Sequence, residues 1–199
     1  ADSKGCFVDY QVSRTIQLAQ PDQLIVESIQ VDSVSCRNYS DGAIQIFASG
    51  GNIKKYSINN GISFVGTSTF ANLTAGNYTV SVSDDKNCPA TYLTGLTQAQ
   101  VVGQPLQLVV SAITKTDLTC KNSLDGQIVV SASGGNAKLY SLSGSTNVQT
   151  SPTFNGLSAG TKTVTVSDVK SCPVTYNTSQ NVVLLEPDSL LVQAVTKTD

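Results

Sequence analysis

The sequence predicts an all-β protein made of tandem, immunoglobulin-like, antiparallel β-sandwich modules of about 84 residues each. Three observations lead to this fold class. A long motif occurs twice at a constant offset, apolar residues alternate with polar ones at the period of a β-strand, and glycine or asparagine interrupts the chain roughly every 8 to 12 residues. No stretch of the sequence has the sustained 3.6-residue periodicity of an amphipathic helix.

The repeat divides the chain into modules. The segment VSCRNYSDGAIQIFASGGN ends at Asn52, and its counterpart LTCKNSLDGQIVVSASGGN ends at Asn136 without any insertion or deletion between the two copies. The segments QPDQLIVESI, QPLQLVVSAI and EPDSLLVQAV place a proline at three equivalent positions. The predicted organisation is the terminal strand of a preceding module at 1–20, a first β-sandwich repeat at 21–104, a second at 105–186, and the first strand of a following module at 187–199.

The predicted strands have one buried and one solvent-facing side. In the segment AIQIFASGG, Ile44 and Ile46 alternate with Gln45 and Phe47, which is the period of two expected for a half-buried strand. Phe47 is therefore expected on the solvent side. The other positions that this alternation assigns to the core are Ala48, Val80, Val82, Ile128, Val130, Ala132, Val164 and Val166.

Glycines mark the predicted turns. The pairs Gly50–Gly51 and Gly134–Gly135 close the second predicted strand of each module and are expected to supply a positive φ. The pairs Asp41–Gly42 and Asp125–Gly126 are expected to open the same strand with turns of the same kind.

The composition excludes several classes of function. With 199 residues, of which 40% are apolar and 13% charged, the chain can bury one small core in each module. The net charge of −2 and the pI near 5.0 offer no basic surface, so no nucleic-acid partner is expected. No apolar run approaches the roughly 20 residues that span a bilayer, so no membrane insertion is expected. The opening residues ADSKGCF do not resemble a signal peptide.

The order of motifs in each module resembles the SprB-type repeat. A cysteine, an Asp-Gly pair, an alternating strand and a Gly-Gly pair are followed by Tyr, Phe-x-x-Leu, Ala-Gly, Thr-Val-x-Val-x-Asp and a second cysteine, with Gln-Pro closing the first module. The aromatic and leucine positions of this order are Tyr56, Phe70 and Leu73 in the first module and Tyr140, Phe154 and Leu157 in the second. The resemblance implies a tandem array in a very large secreted bacterial surface protein, a group that includes gliding-motility adhesins.

One position departs from the family pattern. The aromatic residue expected two positions before the Val-x-Val strand is Tyr78 in the first module, but Lys162 occupies that place in the second. A corner-tyrosine contact is therefore expected only in the first module.

The residue types do not predict an enzyme. The chain has no histidine, so it cannot form a Ser/His or Cys/His nucleophile pair or an imidazole metal site, and no cofactor is expected. Asp84 and Asp168 each end a Thr-Val-x-Val-x-Asp motif and are expected to accept backbone hydrogen bonds in the following turn. The alternative is a weak calcium site at Asp84, Asp85 and Asn87, because hard oxygen ligands in a loop suit that ion.

Sugars could be attached to this chain by glycosylation or bound by it as ligands. Four asparagines begin Asn-x-Ser/Thr triplets, about as many as chance would give, and are the candidate glycosylation sites: Asn38, Asn72, Asn77 and Asn177. The alternative function is a carbohydrate-binding accessory module of a secreted protein, with the aromatic residues Phe47 and Tyr39 as candidate sugar contacts. Ser131 and Ser123 replace them in the second module, which counts against a repeated platform.

Five cysteines in a chain of secreted type favour disulfides, and the repeat permits two pairing schemes. One scheme joins Cys36 to Cys88 and Cys120 to Cys172, and leaves Cys6 for a cysteine outside this segment. The other joins Cys6 to Cys36 and Cys88 to Cys120. Five antiparallel strands would bring the ends of the first and fifth strands to the same end of the sandwich, so we predict the first scheme. One additional strand would reverse this conclusion.

Short junctions between the modules predict a structural role. Neither LTGLTQAQVVGQPLQLVV nor NTSQNVVLLEPDSLLV contains a Gly/Ser-rich or charged linker, so the array is expected to be stiff. We expect a structural or adhesive repeat segment of an extracellular stalk or filament at the cell surface. Its role would be to provide stiff length, with modules stabilised by disulfides. The expected partners are further copies of the module, in the same chain or in neighbouring chains by strand donation, with surface glycans as a further candidate.

Overall fold

The computed structural model describes residues 3–6, 18–144, 147–194 and 197. Every regular element in these ranges is a β-strand, which confirms the predicted all-β class. No helix in this part of the chain is long and apolar enough to cross a membrane. The strands are β1 (Ile25–Asp32), β2 (Gly42–Ser49), β3 (Lys54–Ser57), β4 (Thr69–Leu73), β5 (Gly76–Thr79), β6 (Ser81–Asp84), β7 (Thr91–Tyr92), β8 (Ala99–Val102), β9 (Leu108–Thr116), β10 (Gly126–Ser133), β11 (Lys138–Leu142), β12 (Thr153–Leu157), β13 (Gly160–Asp168), β14 (Val174–Tyr176) and β15 (Asn181–Leu184).

Strands β1 to β8 form one four-stranded sheet and two strand pairs. The larger sheet has the order β4-β2-β1-β7. β2 and β4 are antiparallel, with Gly42 opposite Leu73, whereas β7 runs parallel to β1, with Ile25 opposite Thr91. β3 pairs with β6, and β5 pairs with β8.

Strands β9 to β15 repeat this topology. One sheet has the order β12-β10-β9-β14 and the other has the order β11-β13-β15. β13 pairs with β15 through its first half and with β11 through its second half, whereas the equivalent stretch of the first repeat is divided into β5 and β6. The parallel pairs β1–β7 and β9–β14 depart from the purely antiparallel prediction. They arise because the chain passes through the other sheet before it returns beside the first strand.

The core of the second repeat lies between its two sheets. The apolar faces predicted from the alternation are confirmed there, since Ile128 and Val164 are completely buried. Burial of one such side chain stabilises the fold by about 1.5–3 kcal/mol. The buried cluster consists of Val110, Leu118, Ile128, Val130, Tyr140, Leu142, Phe154, Val164, Val166, Val182 and Leu184.

The first repeat buries the equivalent positions. Ile44, Ile46, Val80 and Val82 are all buried, as the alternation predicts. Phe47 is 41% exposed, which confirms its predicted place on the solvent side of β2.

The double glycines adopt the positive φ that was predicted for them. Gly50 and Gly134 have φ angles of 68° and 70°. A Cβ at Gly134 would lie 1.9 Å from the carbonyl oxygen of Gln107, so a side chain is excluded by space as well as by conformation. A Cβ at Gly50 would meet Gln23 at the same distance.

The Asp-Gly pairs do not form the predicted turns. Gly42 and Gly126 are the first residues of β2 and β10 rather than turn residues, and both are buried. A Cβ at Gly126 would lie 2.8 Å from the carbonyl oxygen of Leu157 and 2.9 Å from Leu118 Cδ1. Glycine is therefore required here because the neighbouring strand packs closely against the backbone.

A tyrosine on each short parallel strand forms a hydrogen bond with the backbone of a distant segment. The hydroxyl of Tyr176 on β14 accepts a hydrogen bond from the backbone N of Val166 on β13, at 2.8 Å. Its counterpart Tyr92 donates to the carbonyl oxygen of Val80, at 2.9 Å. Tyr176 thus connects β14 to the opposite sheet, and Tyr92 connects β7 to the residue between β5 and β6.

The contact of the corner residue differs between the repeats, as predicted from the replacement of the aromatic residue by Lys162 in the second repeat. The Tyr78 hydroxyl donates to the carbonyl oxygen of Thr74 at 2.9 Å. In the second repeat, Lys162 Nζ donates instead to Ser158 Oγ at 3.2 Å. The second repeat therefore keeps a polar contact to the same turn without the tyrosine corner.

Spatial proximity divides the chain into two units that do not coincide with the sequence repeats. One unit comprises Ala1–Ile29, Ile46–Ser68 and Thr79–Gln98, and the other comprises Gln30–Gln45, Thr69–Tyr78 and Ala99–Asp199. The second unit holds the whole predicted module 105–186 together with the segment that follows β1. The module boundaries at 21–104 and 105–186 stay a prediction from the repeat.

The flanking strands predicted for 1–20 and 187–199 stay predictions from the repeat. Residues 187–194 contain no strand. Most of the closing strand predicted for 1–20 falls at 7–17, which lies outside the described residues.

Candidate functional site

A disulfide between Cys36 and Cys172 joins two segments that are far apart in sequence. Cys36 follows β1 and Cys172 follows β13, and their Cα atoms lie 5.4 Å apart across a sequence separation of 136 residues. Both side chains are buried, that of Cys36 completely. We call the surroundings of this bond the junction site, which consists of Ser35, Cys36, Asp41, Asn136, Asp168, Lys170 and Cys172.

The segment after β1 holds Cys36 in a hydrogen-bonded turn. The backbone N of Ser35 donates to Asp41 Oδ1 at 2.9 Å, and the backbone N of Tyr39 donates to the carbonyl oxygen of Cys36 at 3.1 Å. Hydrogen bonds from Ser35 are the main reason why the pKa of Asp41 is lowered. The ionised carboxylate therefore stabilises the turn.

The same turn is attached to the connection between β8 and β9. The backbone N of Val34 donates to the carbonyl oxygen of Gly103 at 3.0 Å. The backbone N of Asn38 donates to Gln104 Oε1, also at 3.0 Å. Because Gly103 and Gln104 directly follow β8, the position of Cys36 is fixed relative to the start of the second repeat.

The carboxylate of Asp168 organises the loop that carries Cys172. Its Oδ1 accepts hydrogen bonds from the backbone N of Lys170 at 3.0 Å and of Cys172 at 2.9 Å. Its Oδ2 accepts from the backbone N of Asn136 at 2.9 Å and from Asn136 Nδ2 at 3.0 Å. Burial raises the pKa of Asp168, but these hydrogen bonds outweigh burial and lower it overall. The predicted role of Asp168 as an acceptor in the turn is confirmed.

Polar contacts accompany the disulfide. Asn136 Nδ2 donates to the carbonyl oxygen of Ser35 at 3.1 Å, and Cys172 Sγ lies 3.4 Å from the same oxygen. The charge of Lys170 also contributes to the lowered pKa of Asp41. The two segments are therefore joined by a disulfide and by a hydrogen bond.

The role of Asn136 was not predicted. The signal in the sequence was the triplet Gly-Gly-Asn, which occurs in both repeats and ends at Asn52 in the first. Asn52 Nδ2 donates to Asp84 Oδ2 at 3.1 Å, so the asparagine has the same local partner in both repeats. The triplet thus combines the positive-φ turn with the donor for the buried carboxylate.

The structure corrects the predicted disulfides. The expected pairs Cys36–Cys88 and Cys120–Cys172 are wrong, because Cys36 is bonded to Cys172. The rival scheme, in which Cys6 pairs with Cys36, fails for the same reason. Cys6, Cys88 and Cys120 are all exposed.

An extra antiparallel segment explains this correction. The prediction assumes five strands in each repeat, counted in the first from the strand that ends near Cys36 to the strand that ends just before Cys88. In the second repeat, however, the backbone at Gln149 pairs antiparallel with Tyr140 between β11 and β12. The chain therefore reverses its direction once more than expected. The first repeat contains the same segment, where Val65 pairs antiparallel with β3.

Hydrogen bonds locate Cys172 at the start of β9. The loop of Cys172 is bonded through Asp168 to Asn136, and the neighbouring Gly135 donates its backbone N to the carbonyl oxygen of Leu106 at 2.8 Å. Leu106 lies just before β9, whereas Cys120 follows the end of that strand. The two cysteines of the repeat are thus at opposite ends of β9.

Groups of the protein itself contact the candidate calcium ligands. Asp84 Oδ1 accepts hydrogen bonds from the backbone N of Lys86 and Cys88, and its carboxylate also accepts from Asn52. Asn87 Oδ1 accepts from a lysine ammonium at 3.2 Å, and Asp85 forms a surface ion pair at 3.4 Å. The predicted turn role of Asp84 is confirmed. Within the described ranges, no three Asp, Glu, Cys or His side chains form a group that could hold a metal.

The candidate sugar positions are on the surface. Tyr39 is 42% exposed, similar to Phe47, but both are replaced by serine in the second repeat. The four sequon asparagines are exposed as well: Asn38, Asn72, Asn77 and Asn177.

Comparison with known proteins gives a match to one family model and similarity at low sequence identity to solved structures. Residues 112–147 match the family model of the SprB repeat. No curated protein matches the chain. The chain is similar to the three N-terminal domains of the bacteriophage RB49 Highly Immunogenic Outer Capsid protein (Hoc), with 16% identity and a TM-score of 0.42 over 77% of this chain and 59% of that one.

A second solved structure is similar at the same level of identity. It is the C-terminal 282-residue fragment of intimin in complex with the intimin-binding domain of the translocated intimin receptor, with 16% identity and a TM-score of 0.37 over 80% of this chain and 64% of that one. The chain therefore spans less than two thirds of the length of either structure. The segment 112–147 contains β10 with its Asp-Gly start, the Gly-Gly-Asn turn and Tyr140, and it is this segment that matches the SprB repeat, the family indicated by the order of the motifs.

Proposed function

We propose that the chain is a structural repeat segment of an extracellular stalk or adhesive filament at a cell surface. The observation that carries the proposal is the disulfide of the junction site, which connects the segment after β1 with the loop after β13. A bond of this kind holds successive repeats of an array together independently of the peptide connection between them. The array would then resist extension and bending.

The connection between β8 and β9 supports this role. It consists of only residues 103–107, and its backbone is hydrogen-bonded on both sides. Gly103 accepts from Val34, and Leu106 accepts from Gly135 at 2.8 Å. A connection with these contacts does not act as a flexible linker.

The disulfide also stabilises the folded chain. It closes a loop across 136 residues, and restricting the unfolded chain over such a loop contributes about 5 kcal/mol in the chain-entropy description. Bonds of this kind persist in oxidising surroundings, which is consistent with an extracellular location. The match to the SprB repeat is consistent with the same location.

Single-molecule pulling on the whole chain tests the proposal. With handles at the two ends, the contour length of the unfolded, oxidised protein is expected to exclude the 136-residue span between Cys36 and Cys172, because the disulfide prevents that span from being stretched. Addition of a reductant should lengthen the fully unfolded chain by about 460 Å, at about 3.4 Å per residue. The variant Cys36→Ser should show the long form without any reductant.

The serine variant Cys88→Ser is the matched control, because it removes an exposed cysteine that takes no part in this bond. It should keep the short contour length and the response to reductant. Equal contour lengths for the oxidised and reduced wild-type protein would overturn the proposal, since the span would then bear no covalent restraint.

A further inference from the structure

Two exposed cysteines repeat the two halves of the junction site. In the alignment of the two repeats, Cys120 is the counterpart of Cys36, and Cys88 is the counterpart of Cys172. Neither Cys88 nor Cys120 is disulfide-bonded. If their surroundings match those of the bonded pair, Cys120 can bond to a cysteine in a loop like that of Cys172, and Cys88 can bond to a cysteine in a turn like that of Cys36.

The turn at Cys120 matches the turn at Cys36. The backbone N of Thr119 donates to Asp125 Oδ1 at 3.2 Å, as Ser35 does to Asp41. The backbone N of Ser123 donates to the carbonyl oxygen of Cys120, also at 3.2 Å. The geometry that holds Cys36 in the junction site is therefore present at Cys120.

The attachment of this turn is also repeated. The backbone N of Leu118 donates to the carbonyl oxygen of Leu185 at 3.0 Å, and the backbone N of Asn122 donates to Glu186 Oε2 at 2.8 Å. These bonds are the counterparts of those that tie the Cys36 turn to Gly103 and Gln104. The Cys120 turn is thus fixed to the end of its own repeat in the same manner.

The loop at Cys88 matches the loop at Cys172. Asp84 Oδ1 accepts from the backbone N of Lys86 at 2.9 Å and of Cys88 at 2.8 Å. Asp84 Oδ2 accepts from Asn52 Nδ2 at 3.1 Å. The three corresponding distances at Asp168 are 3.0, 2.9 and 3.0 Å, so the two loops have nearly the same geometry.

The two unbonded halves are also complementary in their polar groups. In the junction site, Asn136, which is hydrogen-bonded to Asp168 of the Cys172 loop, donates to the carbonyl oxygen beside Cys36, and the charge of Lys170 contributes to the lowered pKa of Asp41. Asn52 and Lys86 occupy the corresponding positions beside Cys88. The Cys120 turn presents the carbonyl oxygen of Thr119 and the carboxylate of Asp125.

We propose that Cys88 of one copy of this chain bonds to Cys120 of a second copy, head to tail, in a contact that repeats the junction site. This inference rests on the proposed structural function and adds the partner and the residues that join it. Because the two surfaces differ, every added copy again leaves one Cys88 and one Cys120 available. The assembly is therefore open and grows linearly.

The bond can form by thiol–disulfide exchange with a small-molecule disulfide such as oxidised glutathione. The thiolate of Cys120 attacks one glutathione sulfur, forming a mixed disulfide and releasing one reduced glutathione. The thiolate of Cys88 from the second copy then attacks the protein sulfur of this mixed disulfide. The second glutathione leaves as a thiolate, so two protein thiols lose two protons and two electrons while one disulfide is reduced.

A test with two complementary variants separates this pairing from random oxidation. Both variants carry Cys6→Ser, and one also carries Cys88→Ser while the other carries Cys120→Ser. Each is incubated with oxidised glutathione alone and in an equimolar mixture. Products are separated without reduction, and cross-linked peptides are identified by mass spectrometry.

We expect a covalent dimer in the mixture at least about ten times faster than in either variant alone, with a Cys88–Cys120 peptide. The Cys6→Ser chain without other changes should give a ladder of multimers. Adding Lys86→Glu to the variant that retains Cys88 should slow dimer formation, whereas Lys162→Glu, a charge change on β13 far along the chain from the loop, should not.

Three outcomes would overturn the inference: equal rates in the mixture and in the single variants, a Cys88–Cys120 bond within a monomer, or glutathione adducts without dimers. Peptide mapping of the Cys36–Cys172 bond in each variant reports on folding. If the Cys36–Cys172 bond is present but no dimers form, the head-to-tail contact is rejected and the proposed function is left intact. If the Cys36–Cys172 bond is absent, the proposed function itself is rejected.

Discussion

Asn136 donates both its backbone N and its Nδ2 to a single oxygen of Asp168, at 2.9 and 3.0 Å. The same Nδ2 group also reaches the carbonyl oxygen of Ser35 at 3.1 Å. Asp168 is only 2% exposed, so its charge is satisfied by these donors and by the loop that carries Cys172. A buried carboxylate thus connects the Gly-Gly-Asn turn, the disulfide loop and the segment after β1.

Removal of this carboxylate should destabilise the fold. Asp168→Ala leaves four N–H donors without their acceptor, so we expect the free energy of unfolding to fall by about 3 kcal/mol. Urea denaturation of the oxidised protein measures this change. The control is Asp85→Ala, which removes an exposed carboxylate with a surface ion pair and should change stability by less than about 0.5 kcal/mol. Equal urea midpoints for the two variants would contradict the assigned role.

The protein should lose stability in acid. Among the residues that the structure describes, five carboxyl groups have a pKa below the usual value of 3.8, and they are Asp41, Asp84, Asp117, Asp125 and Asp168. A lowered folded-state pKa means that the unfolded chain binds protons more readily, so this stability is present above the usual pKa and is lost as the pH falls through the lowered values. Thermal melting from pH 7 to pH 2 should show a decline that begins near pH 4. A melting temperature that does not fall below that pH would contradict this expectation.

Two glycine substitutions separate the effect of conformation from that of space. Gly134 and Gly144 both have positive φ, at 70° and 78°. A Cβ at Gly134 would lie 1.9 Å from a backbone oxygen, whereas a Cβ at Gly144 would meet nothing within 4 Å. We expect Gly144→Ala to cost about 1–2 kcal/mol of stability and Gly134→Ala to cost more than about 3 kcal/mol. Similar losses in urea denaturation would show that the close approach at Gly134 has no consequence.

Cys88 should be slow to react with alkylating reagents near neutral pH. The charge of Asp84 is the main reason why the pKa of Cys88 is raised above its usual value of 9.0. Because the thiolate is the reactive form, the rate of alkylation by iodoacetamide should reach half its maximum above pH 9.0. A short peptide with one cysteine serves as the reference. A half-maximal rate at Cys88 at a lower pH than that of the peptide would contradict the effect of Asp84.

Much of the local structure could be predicted because it depends on neighbouring residues. The period of two placed Ile44, Ile128 and Val164 in the core, since side chains alternate between the faces of any strand. The turn role of Asp168 followed from its place after a strand, where a short carboxylate reaches nearby backbone N–H groups. The motif order likewise predicted the family that 112–147 match.

By itself, the sequence determined the repeat, the alternating buried faces of its main strands and the carboxylate acceptors Asp84 and Asp168 in the turns, because short-range geometry decides each of these. Only the tertiary structure decided which cysteines meet. One short segment at Gln149 reverses the chain once more and moves Cys172 to the opposite end of β9 from Cys120. Tertiary packing also decided that Gly126 is needed for the close approach of Leu157 rather than for a turn. Contacts between residues distant in sequence depend on the direction of every intervening strand, which no local pattern encodes.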